Sequence, residues 1–317
     1  MPRKVELRIL YENRDVTKAL EDYLISLTYT DSTERADTLS LELYNEAKEF
    51  SLTSYPTPDA EISAFIDDCP CGKFRIDSVR RGLFTFHIEA TAIRRTSEIH
   101  KTKRNRNFKN TSLKKIVTQI AEENGLQPVV KVEDIGIENL QQNQQTDAEF
   151  LKSLADRWNC YLKIQPDKLF FVERDEFENQ EPIATITENQ LINIDLEDQV
   201  YAVFRSCTVY YHDPVKNKDL SYTYVLKNVP VGEEIKLHEK VETLEQAKKR
   251  AIAELKKRNR WRTSGTVTVE GNMSLVAGAV VRLELGDLFT GNYLIEESSH
   301  RVDSSGYQTT LTVRRVG

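Results

Sequence analysis

Phe108-Lys-Asn-Thr-Ser-Leu-Lys-Lys-Ile-Val-Thr-Gln-Ile-Ala-Glu-Glu-Asn-Gly-Leu126 is the stretch around which the rest of the chain is read. Asn110 and Thr111 carry side-chain oxygens of the kind that satisfy orphan amides at a helix start. Leu113, Ile116, Val117, Ile120 and Ala121 then fall on one stripe at helical spacing. Gly125 stands where a left-handed C-cap belongs. A second helix is expected from the capping box Thr146-Asp-Ala-Glu149, with Leu151, Leu154, Ala155 and Trp158 as its buried stripe. Tyr161-Leu-Lys-Ile164, the turn Gln165-Pro-Asp-Lys168 and Leu169-Phe-Phe-Val172 read as a hairpin. Residues 96–182 thus form a compact α/β module, with helices at about 111–124 and 147–159 and a hairpin at 161–172.

Outward from this module the sequence is β on both sides. Towards the N-terminus, strands are expected near 4–10, 23–30, 37–45, 61–67, 73–79 and 84–93, alternating apolar and polar residues. Leu39, Leu41 and Leu43 share one face of the third, and Phe84, Phe86, Ile88, Ala90 and Ala92 one face of the last. Short strands with turn signals between them suggest a small antiparallel barrel or sandwich over residues 1–95. Beyond the module, strands are expected near 183–187, 199–211, 221–227, 233–238, 264–270, 279–285, 292–301 and 306–315. One helix interrupts them at 243–260, with the capping box Thr243-Leu-Glu-Gln246 and the stripe Leu244, Ala247, Ala251 and Leu255. The fold class is mainly β with an α+β insertion: β regions at 1–95 and 183–317 around the module at 96–182.

With 317 residues, 39% of them hydrophobic and 30% charged, the chain can hold two or three ordinary cores. A net charge of −6 argues against a generic coat for nucleic acid. No run approaches the roughly 18 apolar residues of a membrane helix, and Met1 to Tyr11 lacks the apolar core of a secretion signal. Synthesis in a cytoplasm, without membrane insertion, is the expectation. Cys69-Pro70-Cys71 has neither the spacing nor the second pair of a zinc site. Free thiols are expected at Cys69, Cys71, Cys160 and Cys207.

Positive charge is concentrated in two places. Arg94 to Lys109 holds seven Lys or Arg against the single acid Glu98. It reads as a solvated linker or, alternatively, as a contact strip for an acidic partner. Eight more lie between Lys248 and Arg262, six of them (Lys248, Lys249, Arg250, Lys256, Lys257 and Arg258) on the other faces of the third helix. Trp261 is the one aromatic among them, which is poor interleaving for a reader of single-stranded nucleic acid. Lys248, Lys249, Arg250, Arg104 and Arg106 are therefore candidate contacts to a protein partner. The five histidines (His87, His100, His212, His238 and His300) are scattered, and none lies in a nucleophile motif. There is no phosphate-cradling glycine loop and no dinucleotide fingerprint. Catalysis, a cofactor and a metal site are not expected.

An internal echo links the two β regions. Phe74-Arg-Ile-Asp-Ser78 begins a hairpin whose return strand ends Ile93-Arg94-Arg95; Tyr293-Leu-Ile-Glu-Glu-Ser298 begins another, ending Val313-Arg314-Arg315. Chance alternation and duplication both account for it.

Three segments in this order resemble the late-control D family of phage baseplate hub proteins, found in contractile tails and phage-tail-like bacteriocins. They are Gly72-Lys-Phe-Arg-Ile-Asp-Ser-Val79 with Phe86-His-Ile-Glu-Ala90; Phe108 to Leu126 with Gln144 to Leu151 and Leu154 to Trp158; and Gly271 to Val281, Gly291 to His300 and Gly306 to Thr310. The resemblance implies two barrels like those of tail-tube proteins in each subunit, three subunits making a pseudo-sixfold ring. It implies a virion structural protein: a homotrimeric hub joining the sixfold tail tube to a threefold spike and assembled in the bacterial host cytoplasm. A separate spike protein, other baseplate proteins and the tape measure protein would be partners. Because the sequence stops at Gly317, the spike is expected on another chain. A competing reading comes from Asn110-Thr-Ser-Leu113 with Ile120-Ala121, which is faintly similar to LysM repeats and would make the module a peptidoglycan binder.

Overall fold

A computed structural model describes residues 5–45, 56–57, 59–92, 98–199, 203–213, 217–227, 229 and 231–317. The fold is mainly β with an α/β insertion, and the chain divides into two units: Met1–Arg95, Glu181–Asp195 and Gly265–Val313 in one, Thr96–Gln180, Leu196–Ser264 and Arg314–Gly317 in the other. Among the described residues no helix is long and apolar enough to cross a membrane.

The first unit is built on a thirteen-stranded sheet in which two runs of six strands lie side by side. In chain order the first run is Leu7–Tyr11, Leu24–Ser32, Thr38–Tyr44, Glu61–Ile66, Cys69–Arg81 and Thr85–Thr91. Across the sheet they stand first, fourth, fifth, sixth, third, second. The second run is Ala184–Thr187, Leu191–Asp198, Thr263–Glu270, Val280–Glu284, Gly291–Asp303 and Gly306–Val316, and its order across the sheet is the same. Each run also places one short helical turn between its first and second strands, Thr17–Leu20 and Glu188–Gln190. First with fourth strand is antiparallel in the first run and parallel in the second.

The echo read from the sequence falls on matching elements, the fifth and sixth strands of each run. Its Ile93-Arg94-Arg95 end lies outside the described residues, as does most of the turn-rich stretch 51–59. A seam joins the runs. Gly291–Asp303 pairs with Val280–Glu284 over its first half and with Leu24–Ser32 over its second, from Glu297↔Ser32 to Asp303↔Ser26.

Alternation puts Leu39, Leu41 and Leu43 opposite Ala90, Ile88 and Phe86, all buried in a core that also holds Leu27, Phe74 and Ile76. Phe84 leaves this face: it precedes the strand, in the turn, and is exposed.

In the second unit the longer helices are Leu113–Glu123, Asp147–Trp158 and Leu244–Asn259, with short helical turns at Glu98–Lys101 and Asp175–Glu178. The first begins two residues later than Asn110-Thr111 suggests. Ser112 is its N-cap and accepts from the Lys115 amide, while Asn110 and Thr111 belong to the strand Lys103–Ser112. Gly125, at φ +70°, ends it: its amide donates to the Glu122 carbonyl and that of Leu126 to the Ala121 carbonyl, a Schellman closure. The Thr146–Glu149 capping box is formed, and Leu151, Leu154 and Ala155 are buried; Trp158 is only half-buried. The hairpin Cys160–Ile164 with Lys168–Glu173 is also formed, and Gln127–Lys131 adds to it as a parallel strand.

Two expectations are corrected here. The linker read into residues 94–109 is, from Lys103 onward, a strand paired with Gly136–Thr146. Between the strands Leu191–Asp198 and Thr263–Glu270, the described residues of 199–262 do not join the first unit's sheet. Their strands Phe204–Asp213, Lys218–Val225 and Glu233–His238 form a separate sheet against the 244–259 helix, with Cys207, Val209, Ile235, Val241, Ala247, Ala251 and Leu255 as its core. Val241 fills the end of that core and Leu244 is exposed.

Candidate functional site

The basic residues singled out by the sequence are drawn largely into the second unit itself. Arg106 lies between strand 103–112 and the 147–158 helix. Its guanidinium donates to Asp147, Glu123 and, at 2.9 Å, the side-chain amide oxygen of Gln142. Asp147 is 1% exposed, accepts from Gln142 Nε2 at 3.0 Å and Asn124 Nδ2 at 2.9 Å, and has the Arg104 guanidinium as an ion-pair neighbour at 3.4 Å. A buried carboxylate needs such partners, because an unpaired charge out of water is costly.

On the 244–259 helix, Arg250 is buried and reaches Glu239 at 2.7 Å and Glu254 at 3.0 Å. Burial raises the Glu254 pKa, but bonds from Arg258 and Arg250 outweigh it and hold the carboxyl below the usual range. Lys249 pairs with Glu133 at 2.8 Å and Lys256 with Asp175 at 2.6 Å. Lys248, half-exposed, has a loose contact to Glu245 at 3.9 Å. These charges fasten helix to module. Of the five candidates, Lys248 is the most exposed.

A Ser–His pair in the first unit has the composition of a catalytic site but not the access. Ser298 Oγ and His300 Nε2 are 3.0 Å apart, and His300 Nδ1 is 2.9 Å from Tyr307 Oη and 3.1 Å from Thr309 Oγ1. Ser298 and His300 have no exposed surface, and the imidazole stacks on Tyr29, its cross-strand partner at the seam. Burial pushes His300 down to about 4, so the ring is neutral at pH 7 and serves as a satisfied core group. Gly271 lies against the same cluster: a Cβ there would overlap the Tyr307 ring. Cys71 is buried, which pushes its thiol up to about 12; Cys69 is exposed.

What the sheet does offer is backbone. Leu191–Asp198 is the last strand on its side. It pairs with Thr263–Glu270, and among the described residues no strand covers its other edge. Ile192 and Ile194 on it are 52% and 37% exposed, an unusual pairing of open edge and apolar side chains. Gly291–Asp303 has its whole edge covered by two strands, but the equivalent strand Cys69–Arg81 does not. Glu61–Ile66 covers Cys69 to Arg75, and among the described residues no strand takes the same edge from Ser78 to Arg81. Sequence reasoning missed Leu191–Asp198 as a strand, although its Leu-Ile-Asn-Ile-Asp-Leu run alternates from Ile192 onward.

Twin runs of strands in one order define a class: the fold is that of phage tail proteins. The chain superposes on the 43 kDa tail protein of prophage MuSo2 from Shewanella oneidensis with a TM-score of 0.76 at 14% identity, covering 98% of both chains. A tail protein from Neisseria meningitidis MC58 gives 0.76 at 12% identity, over 99% of this chain and 97% of that one. An Escherichia coli component of the type VI secretion system gives 0.53 at 11% identity, over 99% and 77%.

In sequence the chain is similar to two baseplate hub proteins. It is 30% identical over 177 residues to the probable baseplate hub protein of Escherichia phage P2, and 28% identical over 176 residues to that of Escherichia phage 186. These alignments take in 52% and 51% of this chain and 44% and 43% of the relatives, so the match spans less than half the length of either. No family model matches the chain.

Proposed function

We propose that the chain is the hub subunit of the baseplate of a contractile injection machine, a phage tail or a phage-tail-like bacteriocin. Its role is mechanical, with no reaction catalysed. The observation that carries this reading is the strand order repeated in the two runs of the first unit. Three such subunits supply six like β regions, enough to meet a sixfold tube, while the assembly remains threefold towards a spike. The similarity to the P2 and 186 hub proteins supports the same role. Tail tube, spike, other baseplate proteins and tape measure protein are the partners, met during assembly in the host cytoplasm.

Nothing favours the peptidoglycan reading. Asn110 and Thr111 end a strand, and Leu113, Ile120 and Ala121 are fully buried. Mass photometry of the purified chain, alone and with the tube and spike proteins of the same particle, tests the proposal. A trimer that binds both is expected. A monomer that binds neither overturns it.

A further inference from the structure

We infer that the open edge of Leu191–Asp198 in one copy pairs antiparallel with the open edge at Ser78–Arg81 of a second copy. It would do so as Leu24–Ser32 pairs with the second half of Gly291–Asp303 inside one copy. The two pairings join equivalent strands. Leu24–Ser32 and Leu191–Asp198 are the second strands of their runs, Cys69–Arg81 and Gly291–Asp303 the fifth. Within the chain, the second strand of the first run covers the fifth strand of the second. The reciprocal pair, the second strand of the second run with the fifth strand of the first, is unmade. Both its halves are present on every copy.

The side chains fit the pairing. Aligning Phe74 with Tyr293 sets Ser78–Arg81 in the places of Glu297, Ser298, Ser299 and His300, which face Ser32, Asp31, Thr30 and Tyr29 at the seam. Aligning the ends of the two second strands, Ser32 with Asp198, then puts Asp195 across from Arg81 and Leu196 across from Arg80. Opposite charges facing each other on neighbouring strands are favourable, and Glu197 adds to an acidic strand meeting a basic edge. Ser78, Arg80, Arg81, Ile192, Ile194 and Asp195 are all exposed.

Donor strand and acceptor edge lie on different parts of the chain, so the contact is heterologous: each copy gives a strand to one neighbour and receives one from the other. A closed ring consumes both edges on every copy, which removes the liability that an open apolar edge carries. That the ring closes at three copies rests on the hub reading above; the strand pairing does not.

The test is cysteine cross-linking of the full chain. A Cys69→Ser background removes the exposed native thiol, and two double variants, Arg81→Cys with Asp195→Cys and Arg80→Cys with Leu196→Cys, cover adjacent positions of the register. Mild oxidation followed by non-reducing electrophoresis is expected to give a ladder ending at a covalent trimer, absent from the four single variants. As a second measurement, Arg81→Asp should weaken association at least tenfold by mass photometry, and Arg81→Asp with Asp195→Arg should restore it. Oligomers without interchain disulfides in either double variant, and without rescue by the charge swap, overturn the pairing and leave the hub reading intact. A ladder ending at another number keeps the pairing and removes the threefold hub. Monomers that never cross-link, with or without the spike protein, overturn both.

Discussion

His300 is the residue whose chemistry reaches furthest into stability. It is fully buried at the seam, bonded to Ser298, Tyr307 and Thr309, and burial pushes it down to about 4. In the unfolded chain it titrates near its ordinary value of about 6.5. The depressed folded value means that the neutral ring is the stabilising form. Its contribution is complete above about pH 6.5 and lost as the pH falls towards 4, on the order of 3 kcal/mol across that window. Thermal midpoints between pH 7.5 and 4 should fall steeply for the wild type, and less steeply for His300→Gln, which has no proton to take up. Equal slopes would show that His300 is not the titrating group. Beside it, Gly271→Ala forces a methyl group into the Tyr307 ring. Tyr307 is held by its bond to His300 and is 6% exposed, so it has little room to yield. A loss of about 1–3 kcal/mol in urea denaturation is expected, as for other overpacked cores. An unchanged midpoint would mean that the ring moves freely.

At the scale of elements, the 147–158 helix depends on its start. Thr146 Oγ1 accepts from the Glu149 amide at 3.2 Å, and Glu149 Oε2 accepts from the Thr146 amide at 2.8 Å. Removing the hydroxyl in Thr146→Ala should cost about 1 kcal/mol, read as a lowered urea midpoint; Thr146→Ser should keep most of it. This box was legible in the sequence, as were the stripes of both module helices, the 161–172 hairpin and the alternating strands of the first run. In each of these, the local pattern and the tertiary environment ask for the same residues. The failures fall where they do not. Lys103–Ser112 is a strand with four basic residues, so it read as a linker; it is held by Arg106 and its buried partner Asp147, distant in sequence. Leu191–Asp198 has an edge that no strand covers among the described residues, and its isoleucines are exposed. The basic helix read as a contact surface because sequence shows charges and not their partners. Glu239, Glu254, Glu133 and Asp175 turn most of that charge inward.

For the whole molecule, the repeat matters more than any side chain. Six strands in one order, followed by six in the same order, leave a chain that has made one of its two equivalent seams and holds the parts of the other. Amide exchange separates these two seams. Leu24–Ser32 and Glu297–Asp303 are hydrogen-bonded within each copy, so their amides should exchange slowly at every protein concentration. Outward-facing amides of Leu191–Asp198 and Ser78–Arg81 have no such partners among the described residues, so in dilute protein they should exchange fast. Raising the concentration, or adding the spike protein, should slow exchange in both segments together and to the same degree, because each supplies the other's partner. If one segment gains protection while the other stays fast, some other contact covers it. The equivalence between the seams would then stop at the boundary of the single chain.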